Sequence, residues 1–207
     1  MKFFKPIVLA MVVFAIVATM GCVNLCKEIT TGATATPTAT PTPTPKPTII
    51  ATPTLPAVND TIERQYNYVD RIDAGINEYN AGIQNMNSAQ AAYNDSQYVN
   101  ASQTIRLAIN NMENAKTQFN AMEQFASTDT EYNLSGKWYE TANYYSICFN
   151  YLDQGYLELQ NQSTRVTPNY IKERFYFGEA QYYNGLAKQS FNQAKDLEKQ
   201  TFLAQQG

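Results

Sequence analysis

The sequence predicts an all-α fold, an antiparallel up-down four-helix bundle over about residues 57–207 of the 207-residue chain. Apolar side chains in this part recur at alternating spacings of three and four, which is the period of amphipathic helices. Three clusters of turn and capping residues divide the pattern into four segments of roughly 30 residues each. Helices of this length with short connections pack side by side in alternating directions.

Residues 1–21 have the layout of an export signal or a membrane anchor. Two lysines among the first five residues form a basic start, and an uncharged apolar stretch over 7–20 follows. Gly21-Cys22 comes next, a pattern typical of cleavage before Cys22 and attachment of lipid to its thiol. Without cleavage, the uncharged run over 6–26 is long enough to span a bilayer. We therefore expect the bulk of the chain outside the cell, held by a lipid or a single N-terminal span, with free secretion as a third alternative.

Residues 22–56 are predicted to form a disordered stalk. From Thr30 to Pro56 the sequence is almost entirely Thr, Pro and Ala with a few apolar residues, which cannot form a core. Proline fixes φ and removes backbone donors, so the segment favours polyproline II structure. At about 3.1 Å per residue, such a spacer holds the body on the order of 80 Å from the membrane. Threonine beside proline also suits O-glycosylation, and a plain linker is the alternative.

The export signal, Gly21-Cys22 and the Thr/Pro stalk, in this order, resemble the N-termini of archaeal cell-surface lipoproteins, those of methanogens especially. In that group such stalks precede diverse extracellular domains. The resemblance covers residues 1–56 and implies a location at the cell surface, with the membrane as a partner. It transfers no catalytic residue to the helical body.

The first two helices are predicted over about 60–93 and 96–126 from apolar side chains that recur every seven residues. In the first helix the two sets are Ile62, Val69, Ile76 and Ile83, and Ile72, Tyr79, Met86 and Tyr93. In the second they are Tyr98, Ile105, Met112 and Phe119, and Ala101, Ala108, Ala115 and Met122. The sequence of residues 74–80 is nearly repeated in residues 81–87, which supports a seam with a seven-residue period in the first helix.

The third and fourth helices are predicted over about 132–162 and 168–204. The third presents an apolar series at spacings of three and four: Trp138, Ala142, Tyr145, Phe149, Leu152, Tyr156 and Leu159. In the fourth helix the series is Tyr176, Ala180, Tyr183, Ala187, Ala194 and Leu197. Thr167-Pro168 supplies an N-cap and a proline in the first turn, where its missing donor costs nothing.

Two pairs of glycines lie inside the predicted first and fourth helices. Gly75 and Gly82 lie seven residues apart on the first helix, and Gly178 and Gly185 lie seven apart on the fourth. Each glycine costs a helix interior up to about 1 kcal/mol relative to alanine. Because the first and last helices of a four-helix bundle are neighbours, we expect the glycines to let these two approach closely. Tolerance of glycine on exposed faces is the alternative.

Five asparagines belong to Asn-x-Ser/Thr sequons near the predicted helix ends, and an exported chain could carry N-glycans there. They are Asn59, Asn94, Asn100, Asn133 and Asn161. Asn, Ser and Thr also favour caps and turns, so the sequons alone do not establish glycosylation.

The composition of the body argues against several kinds of chemistry. The chain has no histidine, which excludes histidine-ligated zinc, di-iron and haem sites and a Ser-His-Asp triad. The body holds 17 Asp/Glu and 11 Lys/Arg. The whole chain has 18 and 15 of these residues, of which Glu28 and four lysines precede the body. An acidic body of this kind argues against a nucleic-acid partner. We expect no cofactor and no metal, and we expect Cys148 to pack as a small apolar group.

Carboxylates such as Asp70, Asp73, Glu173 and Glu179 are numerous, but no spacing singles out a catalytic or metal-binding pair. The protein is therefore not expected to be an enzyme.

Tyrosine is unusually frequent in the helical body, and this excess suits a binding surface. Several tyrosines lie off the predicted seams, where amphipathic rings beside Asn and Gln can bind sugars or proteins, although wide helix faces also bury such rings. This candidate aromatic binding face consists of Tyr66, Tyr139, Tyr144, Tyr151 and Tyr170. The sequence thus favours a tethered extracellular module that binds an envelope protein or glycan, or contributes structure there. An extracellular ligand-sensing bundle is the alternative, and it would need a membrane partner because no second span follows in the sequence.

Overall fold

The computed structural model describes residues 58–165 and 170–204, with side chains over 61–165 and 170–201. This part of the chain forms four α-helices and no strand, which confirms the all-α four-helix bundle. The helices are α1 (Val58–Asn94), α2 (Tyr98–Met122), α3 (Asp129–Ser163) and α4 (Ile171–Ala204), and a 3₁₀ turn, Glu123–Phe125, follows α2. The export signal, the stalk and the predicted cap at Thr167-Pro168 lie outside the described residues.

The helices pack in chain order, α1 against α2, α2 against α3, and α3 against α4. The backbones of α1 and α4, in contrast, hardly come within 8 Å of each other. Aromatic side chains join these two helices instead. Tyr79 stacks on Phe191 with 6.0 Å between ring centroids, and Tyr93 meets Phe177 edge-on at 5.7 Å. The contact between α1 and α4 is therefore wide and built from side chains.

Trp138 of α3 lies at the centre of the core, where it contacts all three other helices. Its ring stacks on Phe119 of α2 at 5.3 Å between centroids. It meets Tyr79 of α1 and Phe191 of α4 edge-on, each at 5.6 Å. Because one side chain joins four helices, the described residues form one bundle rather than two separate hairpins.

The predicted close approach of the first and fourth helices through their glycines is wrong. Gly75 and Gly82 are buried against α2 rather than α4. A Cβ atom on Gly75 would lie 2.7 Å from Cδ1 of Phe119, and one on Gly82 would lie 3.3 Å from the backbone of α2. Gly178 and Gly185 are exposed, and a Cβ atom on either would meet no atom within 4 Å. The glycines of α1 thus permit the tight contact with α2, and those of α4 face open space.

Two well-formed helix ends explain where the sequence pattern breaks. After α1, Ser96 adopts a φ of 60°, and the backbone N–H of Gln97 donates to the carbonyl of Ala92 at 2.8 Å, as in a Schellman motif. Before α3, Thr128 Oγ1 accepts from the N–H of Glu131 at 3.1 Å, and the Glu131 carboxylate accepts from the N–H of Thr128 at 3.2 Å. This reciprocal pair is a capping box.

Candidate functional site

A cavity of about 80 Å³ lies in the groove between α1 and α4, with α3 behind it. The C-terminal parts of α1 and α3 and the N-terminal part of α4 form it, so it lies toward the connections that follow α1 and α3. Its lining is Met86, Gln90 and Tyr93 from α1, Cys148, Phe149, Leu152 and Tyr156 from α3, and Arg174, Phe177, Gly178, Ala180, Gln181 and Asn184 from α4. The wide contact between α1 and α4 is the structural origin of this cavity.

The inner wall of the cavity is apolar. Phe149, Leu152 and Tyr156 are each at most 2% exposed, and Cys148 is buried beside Phe149 as expected. Burial raises the pKa of Tyr156, and Tyr93 and Cys148 nearby raise it further. The Tyr156 phenol is therefore harder to ionise than an exposed tyrosine.

Gln90 and Tyr93 are the residues of α1 in the cavity lining that carry polar side-chain groups. The Nε2 of Gln90 donates to Oδ1 of Asn94 at 2.8 Å. Its Oε1 is buried and accepts no hydrogen bond from the described residues. Arg174, Gln181 and Asn184 add polar groups along the α4 side. The cavity thus combines an apolar inner wall with polar side chains along α1 and α4.

A second feature is an exposed apolar surface on α4, here called the outer α4 stripe and defined as Ile171, Phe175 and Tyr182. These side chains are 73%, 56% and 48% exposed. Together with Gly178 they follow spacings of four, three and four, which places them on one face of the helix. Tyr170, also exposed, lies directly before this face. The stripe is unusual because large apolar side chains at this spacing normally face a core.

The five tyrosines predicted as a binding face do not all lie together. Tyr144 and Tyr151 of α3 are half-buried and lie beside α4, where Tyr151 stacks on Tyr183 at 5.6 Å between centroids. Burial raises the pKa of Tyr183, and neighbours that include Tyr151 and Tyr144 raise it further. Tyr182 in turn meets Tyr183 edge-on at 5.2 Å. A tyrosine cluster therefore borders the outer α4 stripe on its α3 side.

The other three predicted tyrosines lie elsewhere. Tyr139 is half-buried, with the Lys116 Nζ of α2 6.0 Å from its ring centroid. Tyr66 is exposed near the start of α1. Tyr170 directly precedes α4 in the chain, next to Ile171 of the outer α4 stripe.

The sequons have accessible positions where their side chains are described. Asn94, Asn100 and Asn161 are exposed and lie near the α1–α2 and α3–α4 connections, and Asn133 is exposed near the start of α3. Cys22 and the side chain of Asn59 lie outside the described residues.

The acidic residues form no metal centre in the described part of the chain, where no group of three or more Cys, Asp or Glu side chains is placed to hold an ion. Burial raises the pKa of Asp73, and the neighbouring charge of Asp70 adds to the effect. Burial likewise raises the pKa of Glu173; Arg174 opposes this effect and Glu158 adds to it. Within residues 58–165 and 170–204, no helix has the length and apolarity needed to cross a membrane.

No family model, curated protein or solved structure shows significant similarity to this chain.

The sequence analysis missed the cavity and the outer α4 stripe, although it named Tyr170, which directly precedes the stripe. The stripe has a sequence signal, because Ile171, Phe175 and Tyr182 recur with helical spacing on a face separate from the predicted seam. The cavity has no local signal, since it depends on the distance between helices that are far apart in the chain.

Proposed function

We propose that this chain is a non-catalytic extracellular binding module, held at the cell membrane by its N-terminal segment, that recognises a protein of the cell envelope. The observation that carries the proposal is the outer α4 stripe. Of the nine large hydrophobic side chains exposed in the described residues, four lie between 170 and 182. A concentration of exposed apolar and aromatic side chains is typical of protein interaction sites.

The position of the stripe supports a role in contacting partners away from the membrane. The stripe lies near the N-terminus of α4, at the same end of the bundle as the C-terminus of α1. The N-terminal segment precedes the bundle in the chain, so its point of connection is the opposite end, where α1 begins at Val58. The α1 helix has 37 residues, so the two ends are about 55 Å apart at 1.5 Å per residue. A chain tethered through its N-terminal segment would thus present the stripe far from its attachment point.

Position-specific photo-cross-linking in intact cells tests this surface. A photo-reactive phenylalanine analogue replaces Tyr182 in one full-length variant and Tyr132 in a control, because both tyrosines are 48% exposed and Tyr132 lies near the start of α3. We expect a cross-linked protein from position 182 that is absent from position 132 and is lost when Phe175→Ser is added. Equal products from both positions, or a product that contains only glycan, would contradict a protein partner on this stripe.

Intact mass of the chain extracted from its native membranes tests the tether separately. A mass that lacks residues 1–21 and carries added lipid, with the lipid lost in Cys22→Ala, is the expected result for a surface lipoprotein. An unmodified full-length mass would instead indicate an uncleaved membrane span. Free chain in the medium would reject both anchors.

Ligand sensing is a second candidate function, and the cavity between α1 and α4 is the observation that favours it. A site lined by an apolar wall and a few polar groups between helices is typical of small-molecule binding.

A further inference from the structure

We propose that the outer α4 stripe binds the same stripe on a second copy of this chain, with the two α4 helices parallel. This inference rests on the proposed function and names the partner of the stripe, because a second copy held at the same membrane is itself a protein of the cell envelope. Such self-association requires a face that is complementary to itself in shape and in charge.

The stripe and two glycines form a second heptad series on α4. Their spacings alternate between four and three. In chain order the series is Ile171, Phe175, Gly178, Tyr182 and Gly185. The first apolar series of α4, which includes Phe177, Ala180 and Ala187, is buried in the bundle, and the second lies on the opposite face of the helix. Large apolar residues at heptad spacing are typical of a helix that packs against another helix. The bundle occupies one face of α4 in this way, and the second face offers a site for a further helix.

The exposed glycines make room for the ring of Tyr182 in such a pair. In parallel helices, a side chain at a core position inserts into a hole formed by four residues of the facing helix. For Tyr182 these four residues are Gly178, Gln181, Tyr182 and Gly185 of the second copy. A Cβ atom on either glycine would meet no atom within 4 Å, so the space beside both is open. Each Tyr182 ring therefore fits between two glycines of the other chain.

Arg174 and Glu179 make the face complementary to itself in charge. Arg174 directly precedes Phe175 and Glu179 directly follows Gly178, so the two charges flank the series on opposite sides. In a parallel pair these positions face each other across the two helices. Arg174 of each copy would thus meet Glu179 of the other, and the two-fold symmetry makes this contact twice. Neither residue forms a salt bridge with another described residue, so both charges are available to a partner.

The position of the tether also favours the parallel arrangement. When two α4 helices are parallel, the α1 helices of both copies begin at the same end of the dimer, and both N-terminal segments lead toward one membrane. An antiparallel pair would direct them to opposite ends. The contact is short, but α4 is already folded in the bundle, so pairing requires little ordering of the chain. Attachment to one membrane also raises the local concentration of the two copies.

Cross-linking between two tagged copies tests the partner. Two full-length chains with different epitope tags are produced in the same cells, each with the photo-reactive phenylalanine analogue in place of Tyr182. We expect a product that carries both tags and has the mass of two chains. The analogue in place of Tyr132, which is also 48% exposed, should give no such product. A product that joins position 182 only to a different protein would overturn self-association and leave the proposed function in place. If position 182 gives no product at all, both proposals fail.

A disulfide at Gly185 tests the parallel arrangement. In a parallel pair the two copies of this core position lie close enough for a disulfide. In antiparallel pairs that bring the stripes together, they would lie about 15–25 Å apart along the helices. Oxidation of native membranes should therefore link Gly185→Cys chains into dimers. Gly136→Cys on α3 is the matched control, because a Cβ atom there also meets no atom within 4 Å and both variants keep the natural cysteines. Equal linkage of the two variants would overturn the parallel arrangement.

Charge reversal tests the contact between Arg174 and Glu179. Arg174→Glu and Glu179→Arg each place like charges across the pair, and the double variant restores the attraction with the signs exchanged. Sedimentation equilibrium of the full-length chain in density-matched detergent micelles measures the dissociation constant. We expect each single change to weaken the dimer by about three- to thirtyfold, and the double variant to return to within about threefold of the unmodified chain. An unmodified chain that stays monomeric, or a double variant no better than the single ones, would contradict the inference. Thermal unfolding confirms that each variant is folded.

Discussion

Gly75 and Gly185 both lie inside long helices, yet a methyl group should have opposite effects at the two positions. At Gly75 the added Cβ would lie 2.7 Å from Cδ1 of the fully buried Phe119, which cannot move away freely. Gly75→Ala should therefore lower the free energy of unfolding by about 1–3 kcal/mol. Gly185→Ala, the control at an open site, should raise it by about 0.5–1 kcal/mol. Urea unfolding followed by circular dichroism measures both, and a stabilising Gly75→Ala would contradict the tight packing of α1 on α2.

The half-buried side chain of Glu173 should make stability depend on pH. Burial raises its pKa, and Glu158 adds to this effect while Arg174 opposes it. The folded chain then binds the proton more tightly than the unfolded chain, so this group favours folding at low pH. Its destabilising effect begins as pH rises through the ordinary glutamate pKa of about 4.3 and is complete above the raised folded-state pKa. Glu173→Gln should therefore raise the melting temperature at neutral pH and have little effect at about pH 3.

Glu113 provides the opposite case and serves as the comparison for Glu173. Burial alone would raise the pKa of Glu113, but hydrogen bonds from Ser146 and Lys116 and the charge of Lys116 lower it overall. A lowered pKa means that the charged form stabilises the fold at neutral pH, and this contribution is lost as pH falls through the folded-state pKa. Glu113→Gln should thus lower the melting temperature at neutral pH. If both variants shift the melting temperature in the same direction, this account of the two carboxyls is wrong.

At the scale of the helices, the end of α1 contains a strained residue that glycine would relieve. Ser96 has a φ of 60° in the turn that follows the helix. A side chain in this left-handed conformation costs roughly 1–2 kcal/mol, and glycine is the usual residue at this position of a Schellman motif. Ser96→Gly should raise the free energy of unfolding by about 0.5–1 kcal/mol. Unglycosylated protein is required for this measurement, because the change also removes the sequon of Asn94.

Ser96→Ala is the control, since alanine retains the steric cost of the left-handed conformation. It should not stabilise the chain. A gain in the alanine variant equal to that in the glycine variant would show that the hydroxyl, and not the backbone conformation, is responsible.

The four helices were predictable because the spacing of apolar residues alone marks their apolar faces. Which of these residues are buried was not predictable from the spacing. Ile62 is part of the predicted seam and is 57% exposed. The reason is length: α1 has 37 residues and α2 has 25, so the first turns of α1 extend beyond α2. In α4 the sequence analysis selected Tyr176, while the neighbouring Phe177 is the buried ring. Tyr176 and Phe177 both fit the helical spacing of the apolar series. The hydroxyl of tyrosine, which favours a position near water, is the only feature that distinguishes them.

At the scale of the whole molecule, the cavity depends on an asymmetry of the helix contacts that the sequence does not reveal. Consecutive helices approach closely, as short connections predict, and Gly75 and Gly82 tighten the contact of α1 with α2. The contact between α1 and α4 is set instead by large rings such as Phe177 and Phe191. No local pattern specifies the distance between these two helices, so the cavity that lies there was not predictable from seams, capping residues or composition.

This asymmetry predicts that the contact between α1 and α4 depends on a few aromatic side chains. Phe191 is the clearest case, because it stacks on Tyr79 of α1 and meets Trp138 of α3 edge-on. Phe191→Ala should lower the free energy of unfolding by about 3–5 kcal/mol, as expected for removal of a buried phenylalanine. Phe175→Ala is the control on the same helix, and it should change stability by no more than about 0.5 kcal/mol because Phe175 is exposed.

Hydrogen exchange of the Phe191→Ala variant would show where the stability is lost. Without the Phe191 ring, α4 loses its stacked contact with α1 but keeps its extensive packing against α3. Amide exchange should therefore accelerate more in α1 and α4 than in α2, whose alanines and methionines remain buried between α1 and α3. Uniform acceleration in all four helices would instead mean that the bundle opens as one cooperative unit, with the contact between α1 and α4 no weaker than the others.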